Sequence, residues 1–111
     1  MTSEVAAVES RLPEYELVVI VSPEGGEEAL EARVEAVSKL ITDRGGEVVS
    51  VKHWGKRKLA YPIKHSREGN YFLVNFKSGA QLGKELEASL RITEDVLRHL
   101  LVRLEISKSS S

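Results

Sequence analysis

The hydrophobic positions of the chain fall into blocks whose spacing changes from one to the next. YELVVIV (Tyr15–Val21) is a short apolar, β-branched run, the pattern of a buried strand. SPEGG then breaks it. Leu30, Val34, Val37 and Ile41 recur at i, i+4, i+7 and i+11, the stripe of an amphipathic helix. Glu27, Glu28 and Glu31 occupy its first turns, where carboxylates suit the helix dipole, and Gly45-Gly46 can supply a left-handed cap. EVVSVKHW alternates into a second strand that continues through LAYPI, with a bulge expected at Gly55. KHSREGN (Lys64–Asn70) reads as a hairpin loop and YFLVNFK (Tyr71–Lys77) as a third strand. Leu82, Leu86 and Leu90 mark a second helix, and TED turns the chain into a last strand, VLRHLLVRLE.

The order β-α-β-β-α-β predicts an α+β fold of the ferredoxin-like, split βαβ kind: a four-stranded antiparallel sheet with two helices on one face. Strand one then lies between strands three and four, and strand two is an edge. Two helices cover one face of such a sheet, yet strand one is apolar on both sides, with Leu17, Val19 and Val21 against Val18 and Ile20. Strand four sets Leu97 and Leu101 on one side and Leu100, Val102 and Leu104 on the other. A sheet with one wet face alternates more cleanly than this. The second face calls for cover, either by the chain's own polar side chains and termini or by a docked partner or second copy. Leu97 and Leu101 are the candidate partner-binding residues.

Length makes this one domain, residues 13–105, able to bury roughly 65% of its unfolded surface. The ends, residues 1–12 and 106–111, are small and polar and read as disordered. The chain has no cysteine, which excludes disulfides, thiolate metal sites and thiol nucleophiles. It has neither a signal-peptide pattern nor an apolar run long enough for a membrane span, so a cytoplasmic location is expected.

Charge changes the picture. Sixteen basic residues face 17 acidic ones, a net charge of -1. The stretch from Lys52 to Arg67 holds six of the cations (Lys52, Lys56, Arg57, Lys58, Lys64 and Arg67) and no carboxylate; without it the chain stands at 10 basic against 17 acidic, or -7. Lysines on an edge strand can simply block edge-to-edge pairing, and Pro62 suits an edge. That does not account for Trp54 and Tyr61 among them. Cations interleaved with rings on a projecting hairpin suit nucleic acid, with phosphates neutralised and rings free to stack. Trp54 could equally be an apolar plug at the sheet edge.

Other chemistry finds little support. His53, His65 and His99 are scattered without metal-site spacing. SPEGGEE imitates a phosphate-cradling loop, but Glu24, Glu27 and Glu28 would repel the phosphate, so it reads as a turn and helix start. An acylphosphatase-like hydrolase on this fold would need a basic loop after strand one, where this one is acidic. The RNA-recognition motif shares the fold, but the strand-three aromatics here are out of its register. No cofactor is expected.

Three stretches carry a resemblance: YE opening the first strand, WGKRKLAYPIKHSREGNYFLVNF (Trp54–Phe76), and LRITEDVLRHLLVRLE (Leu90–Glu105). Together they resemble the family of protein number six of the bacterial small ribosomal subunit, over Tyr15 to about Glu105. Tyr15 matches its opening aromatic, Gly55, Arg57 and Leu59–Ile63 its core motif, Gly69 and Tyr71 its hairpin return, and Arg91 and Arg98 its basic positions near the last turn. The resemblance implies a non-enzymatic, ribosome-associated protein that binds the central domain of small-subunit rRNA beside ribosomal protein S18. Candidate RNA-binding residues are then Lys52, Trp54, Lys56, Arg57, Lys58, Lys64, Arg67 and Arg91. Members commonly carry basic residues just before YE, where this chain has Pro13 and Glu14, so an N-terminal RNA contact is not expected to carry over unchanged. A homodimeric regulatory or ligand-binding domain is the alternative that the apolar second face equally permits.

Overall fold

The computed structural model describes residues 12–104; apart from Leu12, the ends expected to be disordered lie outside the described residues. The elements are β1 (Glu14–Val21), α1 (Gly26–Asp43), β2 (Glu47–Ile63), β3 (Ser66–Lys77), α2 (Ala80–Arg91) and β4 (Val96–Leu104). The strands form one antiparallel sheet in the order β2-β3-β1-β4, with β1 inside and β2 at an edge, as the pattern predicts.

Local signals explain the boundaries. Ser22 accepts a hydrogen bond from the Glu24 amide, and a single 3-10 turn at Pro23–Gly25 leads into α1. At the other end of α1, Gly46 N–H donates to Ile41 O and Gly45 N–H to Thr42 O, a Schellman closure. Gly45 takes φ +87°, which a residue with a Cβ adopts only under strain.

Leu17, Val19 and Val21 of β1 and Phe72, Val74 and Phe76 of β3 face the helices. They pack with Val37, Ile41, Leu82, Leu86 and Leu90 into the core. Each such side chain contributes about 1.5–3 kcal/mol by leaving water. Leu101 pairs with Leu17 and joins this core, under Gly83 of α2. A Cβ on Gly83 would sit 3.0 Å from Leu101 Cδ2, so the missing side chain is what lets helix and strand approach.

The opposite face is lined by Val18, Ile20, Leu73, Leu100 and Val102; Val18 opposes Leu73 on one side and Leu100 on the other, while Ile20 opposes Tyr71 and Arg98. Leu97 belongs here, and the expectation that Leu97 and Leu101 share one side is corrected. Ile20 pairs with Arg98 but Val21 pairs with Val96, so Leu97 is the extra residue of a bulge. The bulge turns it away from the helices, and the period-two count fails across it.

The expected seven-residue loop is also corrected. β3 begins at Ser66, and only Lys64 and His65 form the turn, both at positive φ (50° and 69°). The hairpin arm stays paired to its tip, except that Leu59–Pro62 bow out between the pairs Lys58–Glu68 and Ile63–Ser66. Pro62 has no amide hydrogen to offer a ladder, and it sits in that unpaired stretch. There the arm folds onto the second face. A Cβ on Gly69 would lie 2.3 Å from Ile20, with Leu97 and Leu59 at 3.5 and 3.7 Å. Ile20 and Leu97 are thereby buried, and Leu73, between Val18 and Lys52 in the ladder, is buried as well. Leu100 and Val102 are not, remaining 57% and 40% exposed.

Candidate nucleic-acid interface

The arm owes its shape to one glycine. Gly55 sits at φ +88° within a register shift between the pairs His53–Phe72 and Gly55–Tyr71, as the expected bulge requires. Trp54 is the residue left without a partner. Its indole stacks on the Tyr71 ring at 6.4 Å and 20°, and 42% of Trp54 stays exposed. The Arg57 guanidinium lies 5.5 Å from the Trp54 centroid and 6.0 Å from that of Tyr71, closing a triangle of two rings and a cation. Lys52 opposes Leu73 and Arg57 opposes Gly69, so both belong to the second sheet face with Trp54.

Lys56 and Lys58 lie on the other side of the arm. Lys58 opposes Glu68, whose carboxylate is 3.8 Å from Lys56 Nζ. The basic stretch lacks a carboxylate in sequence, but the returning strand brings one to it. On the same side, His53 Nε2 stands 4.0 Å from a Glu31 oxygen.

The remaining candidates gather near the tip. Lys64 donates to the Val96 carbonyl at 3.0 Å, which carries the turn across to β4. There Lys64, Arg91, Arg98 and His99 line a shallow hollow of about 270 Å³, together with Leu90, Val96 and Leu97. Arg98 also donates to the Tyr61 hydroxyl at 3.4 Å. Arg67 is exposed and borders a separate, wider hollow with Leu59, Tyr61 and Pro62. The eight RNA candidates are thus split into the ring face, its reverse and the tip. His99 and Glu68 were not legible as members of these groups, because cross-strand and bulge geometry brings them there. Among the described residues no helix is long and apolar enough to cross a membrane.

The family model of ribosomal protein S6 matches residues 14–103, from the first residue of β1 almost to the end of β4. The chain belongs to the ribosomal protein S6 family. Small ribosomal subunit protein bS6 of Clostridium acetobutylicum is 50% identical over 91 residues, covering 82% of this chain and 96% of that one. The bS6 protein of Moorella thermoacetica is 46% identical, covering 82% and 93%. The crystal structure of 30S ribosomal protein S6 from Thermotoga maritima is similar in fold, with a TM-score of 0.83 at 34% identity, covering 90% and 94%. Membership in the S6 family makes the chain a structural protein of the small ribosomal subunit, ribosome-associated in the cytoplasm, and not an enzyme.

Proposed function

We propose that this S6-family protein binds the central domain of small-subunit rRNA as the companion of ribosomal protein S18. The observation that carries the reading is the division of one sheet face. At the β2 end stand Lys52, Arg57 and the Trp54 ring; at the β4 end Leu100 and Val102 are bare. The first end suits a polyanion and the second an apolar protein surface. Lys56, Lys58 and Arg67 extend the cationic surface along the arm, and Lys64, Arg91 and Arg98 extend it at the tip. Phosphate contacts from such residues fix register and supply salt-dependent affinity.

Leu97 is buried beneath the arm and Leu101 beneath α2, so Leu100 and Val102 take over the partner-facing role. RNA titrations with and without S18, repeated across salt concentrations, test the reading. The partner should tighten binding by covering the apolar end and adding its own charge. A stable homodimer without affinity for S18 would instead support the dimeric regulatory domain.

A further inference from the structure

Trp54, Tyr71 and Arg57 form an arrangement that edge protection alone does not require. A ring that merely plugs an edge gains by burying itself, yet Trp54 stays 42% exposed at a position fixed by the Gly55 bulge. Tyr71 stacks against it and Arg57 flanks both rings, so the indole is held in place before any ligand arrives. Lys52 stands on the same face, and the nearest carboxylate of the arm, Glu68, lies on the reverse with Lys56.

We propose that Trp54 is a stacking platform for one unpaired nucleobase, with Tyr71 supporting the indole and Arg57 and Lys52 receiving the phosphates on either side of that base. This rests on the RNA-binding reading above and adds to it the kind of RNA recognised: a single-stranded loop or bulge, in place of a continuous duplex. A paired base cannot present its face to a side chain without leaving the helix, whereas a loop base can. The charge supports RNA over a protein occupant, since two cations flank the ring and stacking on aromatic side chains tolerates any base.

Trp54 is the chain's one tryptophan, so its fluorescence reports this site alone. The full chain is titrated with an RNA stem carrying a single-stranded loop and with a blunt duplex of equal length, each with and without S18. The loop RNA should quench Trp54 and bind more tightly than the duplex. Trp54→Ala should cost the loop RNA at least about fivefold in affinity and leave the duplex nearly unchanged, while Trp54→Phe recovers part of the loss. Circular dichroism establishes that both variants are folded. Equal binding of both RNAs with unaltered Trp54 emission overturns the platform and leaves RNA binding intact. Quenching by S18 alone, unaffected by RNA, overturns it by giving the ring to the protein partner. Failure of both RNAs to bind, even with S18, removes the RNA-binding reading itself and the platform with it.

Discussion

Lys64 Nζ donates to the carbonyl oxygen of Val96 at 3.0 Å, joining the turn of the arm to the first residue of β4. That contact holds the tip over the end of the sheet where Ile20 and Leu97 are buried. Lys64→Ala should therefore quicken amide hydrogen exchange across Leu59–Arg67, a local opening. Global stability should fall by about 1 kcal/mol or less, the usual net worth of one hydrogen bond. Unchanged exchange in that segment would assign the hold to Leu59 and Tyr61 alone.

Adjacent leucines of β4 should respond in opposite ways. Leu101→Asp places a carboxylate against the core beneath Gly83 and should cost about 4 kcal/mol or more, enough to unfold much of the population. Leu100→Asp alters a side chain already 57% exposed and should leave the melting temperature almost where it was. Its effect should appear in pairing with S18, measured by calorimetry. If Leu100→Asp pairs normally, the bare end of the sheet is not the docking surface.

Salt dependence reads the cations. Suppose the arm and tip neutralise about six phosphates; the log-log slope for a duplex is then roughly -5, and raising salt from about 50 to 200 mM costs on the order of a thousandfold in affinity. Replacing Lys56, Arg57 and Lys58 together with alanine should flatten that slope by about 3. An unchanged slope, accompanied by aggregation, would mean that these residues guard an edge.

Glu68 works against the same surface. Glu68→Gln removes the carboxylate beside Lys56 and should tighten RNA binding by a few-fold, with stability altered by about 0.5 kcal/mol or less because the pair is exposed. Weaker binding in this variant would show that Glu68 positions Lys56 for its phosphate.

Gly55→Ala tests how the backbone sets the ring. At φ +88° alanine is strained, so the variant should lose about 1–3 kcal/mol or shift the bulge. A shifted bulge moves Trp54 off Tyr71, and its emission maximum should change with it. Retained emission together with retained stability would show that the ladder tolerates a side chain there.

Element order, strand order and the core stripes were legible because period two and period 3.6 persist through β1, α1, β3 and α2. What escaped lies where the period is interrupted or a residue's conformation is unusual for its type. One unpaired residue at Leu97 reverses the side assignment of a leucine that a simple alternation pairs with Leu101. The two-residue turn looks like a long loop in the sequence because lysine and histidine do not announce left-handed backbone as glycine or asparagine does. Ser66 and Glu68–Asn70 carry no apolar alternation yet are paired, since an arm beyond the core needs none to form its ladder. The basic stretch was visible as composition, but its division into two sides and its tie to Glu68 depend on cross-strand register.

The outer position of β4 has a consequence for supply. Its free edge offers unpaired backbone groups for another strand, and Leu100 and Val102 stand bare beside it. Light scattering at rising concentration should show self-association that one equivalent of S18 suppresses; a clear solution at every concentration would refute this. On the pairing proposed with S18, a copy synthesised ahead of that partner would be an orphan with an adhesive flank. The ratio in which the two proteins are made would then govern how long such orphans last.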